Sequence, residues 1–114
     1  LKENGRTEIK LYSIDVSDQD LQLMREAGSP WKVTAAVDPK LIGATNMRLI
    51  ALKLAGEPTP ATYDFRATVI PQALLVSQPG NVNMASLNTV IPGWGQTEDF
   101  IAPWFSTLEA KHKK

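Results

Sequence analysis

With 114 residues, 43% of them hydrophobic and 21% charged, the chain has the composition of one small globular domain. Twelve basic residues balance twelve acidic ones, which leaves no electrostatic footprint for nucleic acid or an anionic membrane. The absence of cysteine excludes disulfides, thiol nucleophiles and thiolate metal sites, and one histidine is too few for a zinc centre.

The chain opens on Leu1-Lys2-Glu3-Asn4-Gly5, which reads like the last turn of a helix with glycine just past its end, as though cut from a longer chain. No secretory signal pattern is present there, and no apolar run approaches the ~20 residues of a membrane span. Ile9 to Ile14 is rich in β-branched and aromatic residues and predicts a strand, with Asp15 at its C-terminal end. Ser17-Asp18-Gln19-Asp20 then resembles a capping box with Asp in place of Glu. Leu21, Met24 and Ala27 share the apolar side of the helix that follows, and Gly28 and Pro30 stop it.

A second strand is expected over Trp31 to Val37. Asp38-Pro39 is a strong helix start, because Asp accepts from the orphan backbone N–H groups while Pro suits the first helical position. That helix should run from Pro39 to Ala55 and close at Gly56. Leu41, Ile42, Thr45, Leu49 and Leu52 define its apolar side, with Met47, Ile50 and Leu54 extending it. Tyr63 to Ser77 reads extended, but Pro71 argues against a central ladder through that point. Gln78 to Gln96 holds three Asn, three Gly and two Pro and is expected to be loop-rich. A short helix from Glu98 or Pro103 to Lys111 would carry Trp104, Phe105 and Leu108. The basic run Lys111-His112-Lys113-Lys114 fits a solvated tail, and His112 has no partner acid there. The alternation of strand and helix predicts an α/β fold whose first two strands run parallel.

Three residues are candidates for ligand contact. Asp15 lies at a strand-to-helix loop, where open α/β sheets place ligands, although a solvated loop carboxylate or a helix cap would look the same. Trp31 offers a flat apolar face and one donor, suited to a ligand and at least equally to core packing, while Trp94, an aromatic on a tight turn, fits a lid over a ligand or a packing plug. Pro92-Gly93-Trp94-Gly95 has no phosphate-loop spacing. Asp18 and Asp20 lie in a helix's first turn, where the dipole already accounts for them, so no glycosidase pair stands out.

The order of these features resembles the C-terminal region of the ribose-type periplasmic sugar-binding proteins. The resemblance rests on Ile9-Lys10-Leu11-Tyr12-Ser13-Ile14-Asp15, the helix ending at Gly28, and Thr34-Ala35-Ala36-Val37-Asp38-Pro39-Lys40-Leu41-Ile42-Gly43. It continues through Ala51-Leu52-Lys53-Leu54-Ala55-Gly56-Glu57 to Leu75-Val76, the expected last strand. It implies a strand-helix-strand-helix-strand portion of a two-lobed periplasmic binding protein fold, with a loop-rich C-terminal tail. Residues 1–37 would belong to the C-terminal lobe, 38–65 to the hinge and a helix of the N-terminal lobe, 66–78 to the return strand, and 79–114 to the tail. It also implies a sugar or polyol held in an interlobe cleft, no cofactor, an ABC permease as partner, a periplasmic location, and no enzymatic activity. Asp15 would be the acidic sugar-binding residue. Val37 departs from the pattern, since the ribose type commonly carries a polar Gln there. LacI-type regulators share the fold, so a ligand-sensing domain is the alternative. Uncovered edges and helix faces further predict self-association of the chain.

Overall fold

The structure is a computed structural model that describes residues 3–96 and 104–113; the side chains of residues 104, 105, 107 and 112 are outside that description. The expected helix end at Leu1-Lys2, the start of the last helix at Glu98 or Pro103, and the side chains of Trp104, Phe105 and His112 therefore lie outside the described residues. The elements in chain order are β1 (Leu11–Ile14), α1 (Asp18–Arg25), β2 (Trp31–Ala36), α2 (Pro39–Leu54), β3 (Thr68–Pro71), α3 (Gln72–Val76), α4 (Leu87–Val90) and α5 (Trp104–His112). No helix among the described residues is long and apolar enough to cross a membrane. The chain divides into two compact units: Leu1–Val37 with Ala67–Trp94, and Asp38–Arg66 with Gly95–Lys114.

The first unit is built on a three-stranded sheet in the order β1-β2-β3. β1 and β2 are parallel and joined through α1, while β3 runs antiparallel to β2. Side chains alternate across the sheet, so Ser13, Thr34 and Ile70 align on one face and Ile14, Ala35 and Val69 on the other. The first face meets α1 and α3, and its core comprises Val16, Leu21, Met24, Ala36, Ile70, Leu75, Val82, Leu87, Ile91 and Trp94. The second face is open: Ile14 is 87% exposed and Val69 57%.

Helix α1 begins as its sequence dictates. Ser17 Oγ accepts from the Asp20 backbone N–H at 3.3 Å, and Asp20 Oδ2 accepts from the Ser17 N–H at 2.8 Å. Asp thus completes a capping box that more often uses Glu or Gln. Its buried face is Leu21 and Met24.

An edge of α1 that flanks this buried face grips the chain further on. Asp18 Oδ1 accepts from the Met84 N–H at 2.6 Å, Gln22 Nε2 donates to Val82 O and Asn81 Oδ1 at 2.8 Å, and an Arg25 N–H donates to Gln78 O at 2.9 Å. Positions 18, 22 and 25 share one helix face, so a single polar stripe holds residues 78–84, mostly by their backbone. The segment expected to be a loop-rich tail therefore contributes Val82, Leu87, Ile91 and Trp94 to the core.

The run expected to stay extended through Leu75-Val76 does not: β3 ends at Pro71 and α3 begins at Gln72. Pro71 has no N–H to continue a ladder. Its extended backbone (φ −76°, ψ 138°) precedes Gln72-Ala73-Leu74-Leu75, good helix formers whose Leu75 is wholly buried.

The second unit centres on α2. Asp38 caps it by accepting from the Lys40 N–H at 2.9 Å, with Pro39 in the first turn. At the other end the Glu57 N–H reaches Leu52 O at 2.9 Å and the Gly56 N–H reaches Lys53 O at 3.1 Å. This is a Schellman closure, with Gly56 in the left-handed conformation that closure requires (φ 73°). Thr45 and Leu52 are buried, while Met47, Ile50 and Leu54 stay exposed. α5 packs against α2, and Lys111 Nζ pairs with Glu57 Oε2 at 2.7 Å. Lys111 of the basic run thus has an acidic partner, while its side chain stays 55% exposed.

Candidate functional site

Asp15 sits one residue past β1, at the C-terminal edge of the parallel pair, where its side chain is exposed. It is the one non-glycine residue with positive φ among the described residues, at 76°. Asp tolerates the left-handed region better than most residues, yet the conformation still costs roughly 1 kcal/mol and must be held from outside. Two bonds hold it. The Asp15 N–H donates to Ala35 O at 2.8 Å, and the Thr34 hydroxyl donates to Asp15 O at 2.6 Å. Asp15 Oδ1 accepts from the Val16 N–H at 2.8 Å, and Oδ2 accepts nothing among the described residues. The helix cap next door is Ser17, so capping does not account for this carboxylate.

Trp31 stands at the other end of the sheet. Leu11 pairs with Trp31 and Ile14 with Ala35, so Asp15 and Trp31 are separated by most of a strand, roughly 13 Å. The indole is half-buried against the core, and its Nε1–H donates to Ser13 Oγ at 2.9 Å. The Ser13 hydroxyl donates to Thr34 Oγ1 at 2.8 Å, and Thr34 donates onward to Asp15 O. A relay of three hydrogen bonds therefore runs from one candidate residue to the other. Trp31 does not face the same space as Asp15 but lies at the far end of its support.

Trp94 is 5% exposed and belongs to the core cluster. Its neighbours Gly93 and Gly95 both have positive φ, at 84° and 72°, which lets the chain turn sharply on either side of a buried anchor. The contacts of Trp94 are those of a packing residue, and the structure does not bring it to the Asp15 carboxylate.

A cavity of about 220 Å³ opens before β1 and β2, lined by Arg6, Lys10, Ser29 and Lys32 among others. Its cations are already engaged: Arg6 with Glu8, Lys10 with Thr7 O, and Lys32 with Ser29 O and Gln72 Oε1. The Arg6 guanidinium holds the Glu8 carboxyl below the usual carboxylate range. This cavity lies at the N-terminal end of the strands, away from Asp15. No group of three or more His, Asp or Glu suited to a metal occurs among the described residues.

The sequence placed Asp15 at a strand end but did not show the Ser13 and Thr34 hydroxyls bonded beneath it. A signal was available in the pattern, because Ser13 and Thr34 are polar at positions that strand alternation turns toward the core.

Neither a family model nor a curated protein matches the chain. Solved structures do. One is a sugar ABC transporter from Yersinia enterocolitica, 74% identical, covering 97% of this chain and 33% of its own, with a TM-score of 0.82. Another is a 5-methylthioribose transporter solute-binding protein from Thermotoga lettingae in complex with 5-methylthioribose, 28% identical, covering 97% of this chain and 35% of its own, with a TM-score of 0.79. The chain spans about a third of the length of each. Both are transporter components rather than enzymes or regulators. Over 97% of its length, this chain is therefore similar in sequence and fold to about a third of a sugar ABC transporter protein and of a transporter solute-binding protein.

Proposed function

We propose that this chain serves as part of the solute-binding component of an ABC-type sugar importer, in the periplasm, with a membrane permease as partner and a sugar or polyol as cargo. The observation that carries the reading is Asp15: an exposed carboxylate held in a strained backbone conformation at the C-terminal edge of parallel strands. Strain of this kind persists where the surrounding structure over-determines it, and ligand sites are where it collects. An ionised carboxylate with a free oxygen accepts hydroxyl protons and so suits a polyol. The likeness to transporter proteins, one of them carrying a thio-sugar, supports import over sensing by a LacI-type regulator. No bond is made or broken, so no cofactor is called for.

The test is calorimetric titration of the full-length protein with pentoses, hexoses, inositols and 5-methylthioribose, alongside Asp15→Ala and Asp15→Asn. Two charge-assisted hydrogen bonds at about 1.5–3 kcal/mol each predict a loss of at least 100-fold for Asp15→Ala. Equal binding by wild type and Asp15→Ala would remove Asp15 from the site. We further propose that the isolated chain self-associates through the free edge of β1 and its open face, where Tyr12 is 71% exposed. Sedimentation showing a monomer at high concentration would count against this.

A further inference from the structure

We infer that Thr34, backed by Ser13 and Trp31, is a positioning residue that sets the Asp15 carboxylate for ligand. This rests on the sugar reading only for its functional arm. Thr34 is wholly buried and its hydroxyl donates to the Asp15 carbonyl at 2.6 Å. That hydroxyl in turn accepts from Ser13 Oγ at 2.8 Å, and Ser13 accepts from Trp31 Nε1 at 2.9 Å. Each hydroxyl has one proton. The Thr34 hydroxyl also lies 3.4 Å from Ser13 O, but the 2.6 Å contact to Asp15 O takes its proton. That leaves Thr34 Oγ1 to accept from Ser13 and Ser13 Oγ to accept from the indole. Such a chain polarises in one sense and strengthens its last bond, the one that lands on Asp15. The indole N–H is the natural head of the relay, since it donates and never accepts.

What the relay secures is a backbone angle. Asp15 keeps its φ of 76° only while its neighbours hold it. The Asp15 N–H bond to Ala35 would form in any continuation of the parallel ladder, so it does not select the left-handed turn. The side-chain bond from Thr34 acts on the carbonyl that follows that turn. Without it the strained conformer becomes the minor one, at roughly one molecule in ten, and apparent affinity falls by the same fraction.

Thr34→Val keeps the shape and removes the hydroxyl, Thr34→Ser restores it, and Ser13→Ala cuts the relay one step earlier. The first readout needs no ligand: the Asp15 Cα shift and its H^N–Hα coupling report φ by NMR in the full-length protein. Thr34→Val should move Asp15 out of the left-handed region, and Thr34→Ser should leave it there. The second readout is sugar affinity of the full-length protein, expected to fall about tenfold in Thr34→Val and to recover in Thr34→Ser. Ser13→Ala should fall between them and guards against a Thr34→Val protein that does not fold. An unchanged Asp15 signature in both Thr34→Val and Ser13→Ala overturns the inference. So does a Thr34→Ser variant as defective as Thr34→Val. A wild type that binds no sugar sinks the transport reading instead, and the NMR arm still decides the relay.

Discussion

Gly95→Ala should be the most costly small change at the Pro92–Gln96 turn, and the geometry separates two causes. The first is backbone: Gly95 has φ 72°, where an alanine costs about 1–2 kcal/mol. The second is contact. A Cβ at Gly95 would lie 2.8 Å from Asp38 Oδ2, closer than real Cβ atoms come. Asp38 is the α2 cap, so moving its carboxylate aside forfeits the bond to the Lys40 N–H, worth about 1 kcal/mol. The expected total is about 2–3 kcal/mol. Gly93 provides the internal control, with φ 84° and nothing within 4 Å of the methyl that alanine would add, so Gly93→Ala should show the backbone cost alone. Urea denaturation followed by far-UV circular dichroism, with midpoints compared at constant slope, gives both values. Combining Gly95→Ala with Asp38→Ala should abolish the excess, leaving a coupling of about 1 kcal/mol. Equal costs at Gly93 and Gly95, or a Gly95 penalty that survives removal of the Asp38 carboxylate, would refute the steric explanation.

Trp94→Ala should lose about 3–5 kcal/mol in the same urea assay, because it empties a buried site; a loss under about 1 kcal/mol would return Trp94 to the candidates for ligand contact. Gln22→Ala removes two bonds to residues 81 and 82, costs about 1–2 kcal/mol, and should speed amide hydrogen exchange at Met84 more than at Leu21. Arg6→Gln should raise the Glu8 pKa in an NMR titration, since the Arg6 hydrogen bond is the main cause of its lowering. The folded-state value is depressed, so whatever stability the pair adds is present at neutral pH and is lost as pH falls through that value. At a fully exposed site, any change in melting temperature should be small and should vanish in high salt.

Local chemistry was legible wherever one short stretch of chain decides the outcome. Ser17 with Asp20, Asp38 with Pro39, and the glycine at 56 each satisfy orphan helix groups from within a few residues, and all three form as expected. The placement of Asp15 at a strand end was equally local. Distant pairings were not legible. Nothing near Asp18, Gln22 or Arg25 says that their partners lie some sixty residues on, so residues 78–84 read as loop. The same holds for Thr34 and Ser13, whose relay exists only once two strands pair in one register. Leu75-Val76 misled because an apolar pair fits strand and helix alike, and only burial of Leu75 beside Met24 in the core decides between them.

The first unit is not contiguous: its core needs Val82, Leu87, Ile91 and Trp94, which follow residues assigned to the second unit. On the ribosome, β1, α1 and β2 emerge with Leu21 and Met24 still lacking the later members of their core cluster. At about 5–20 residues per second, the interval between Val37 and Trp94 lasts roughly 3–11 s. Throughout that wait the nascent chain presents an apolar face, and a chaperone that holds it would serve this protein better than one that hastens folding.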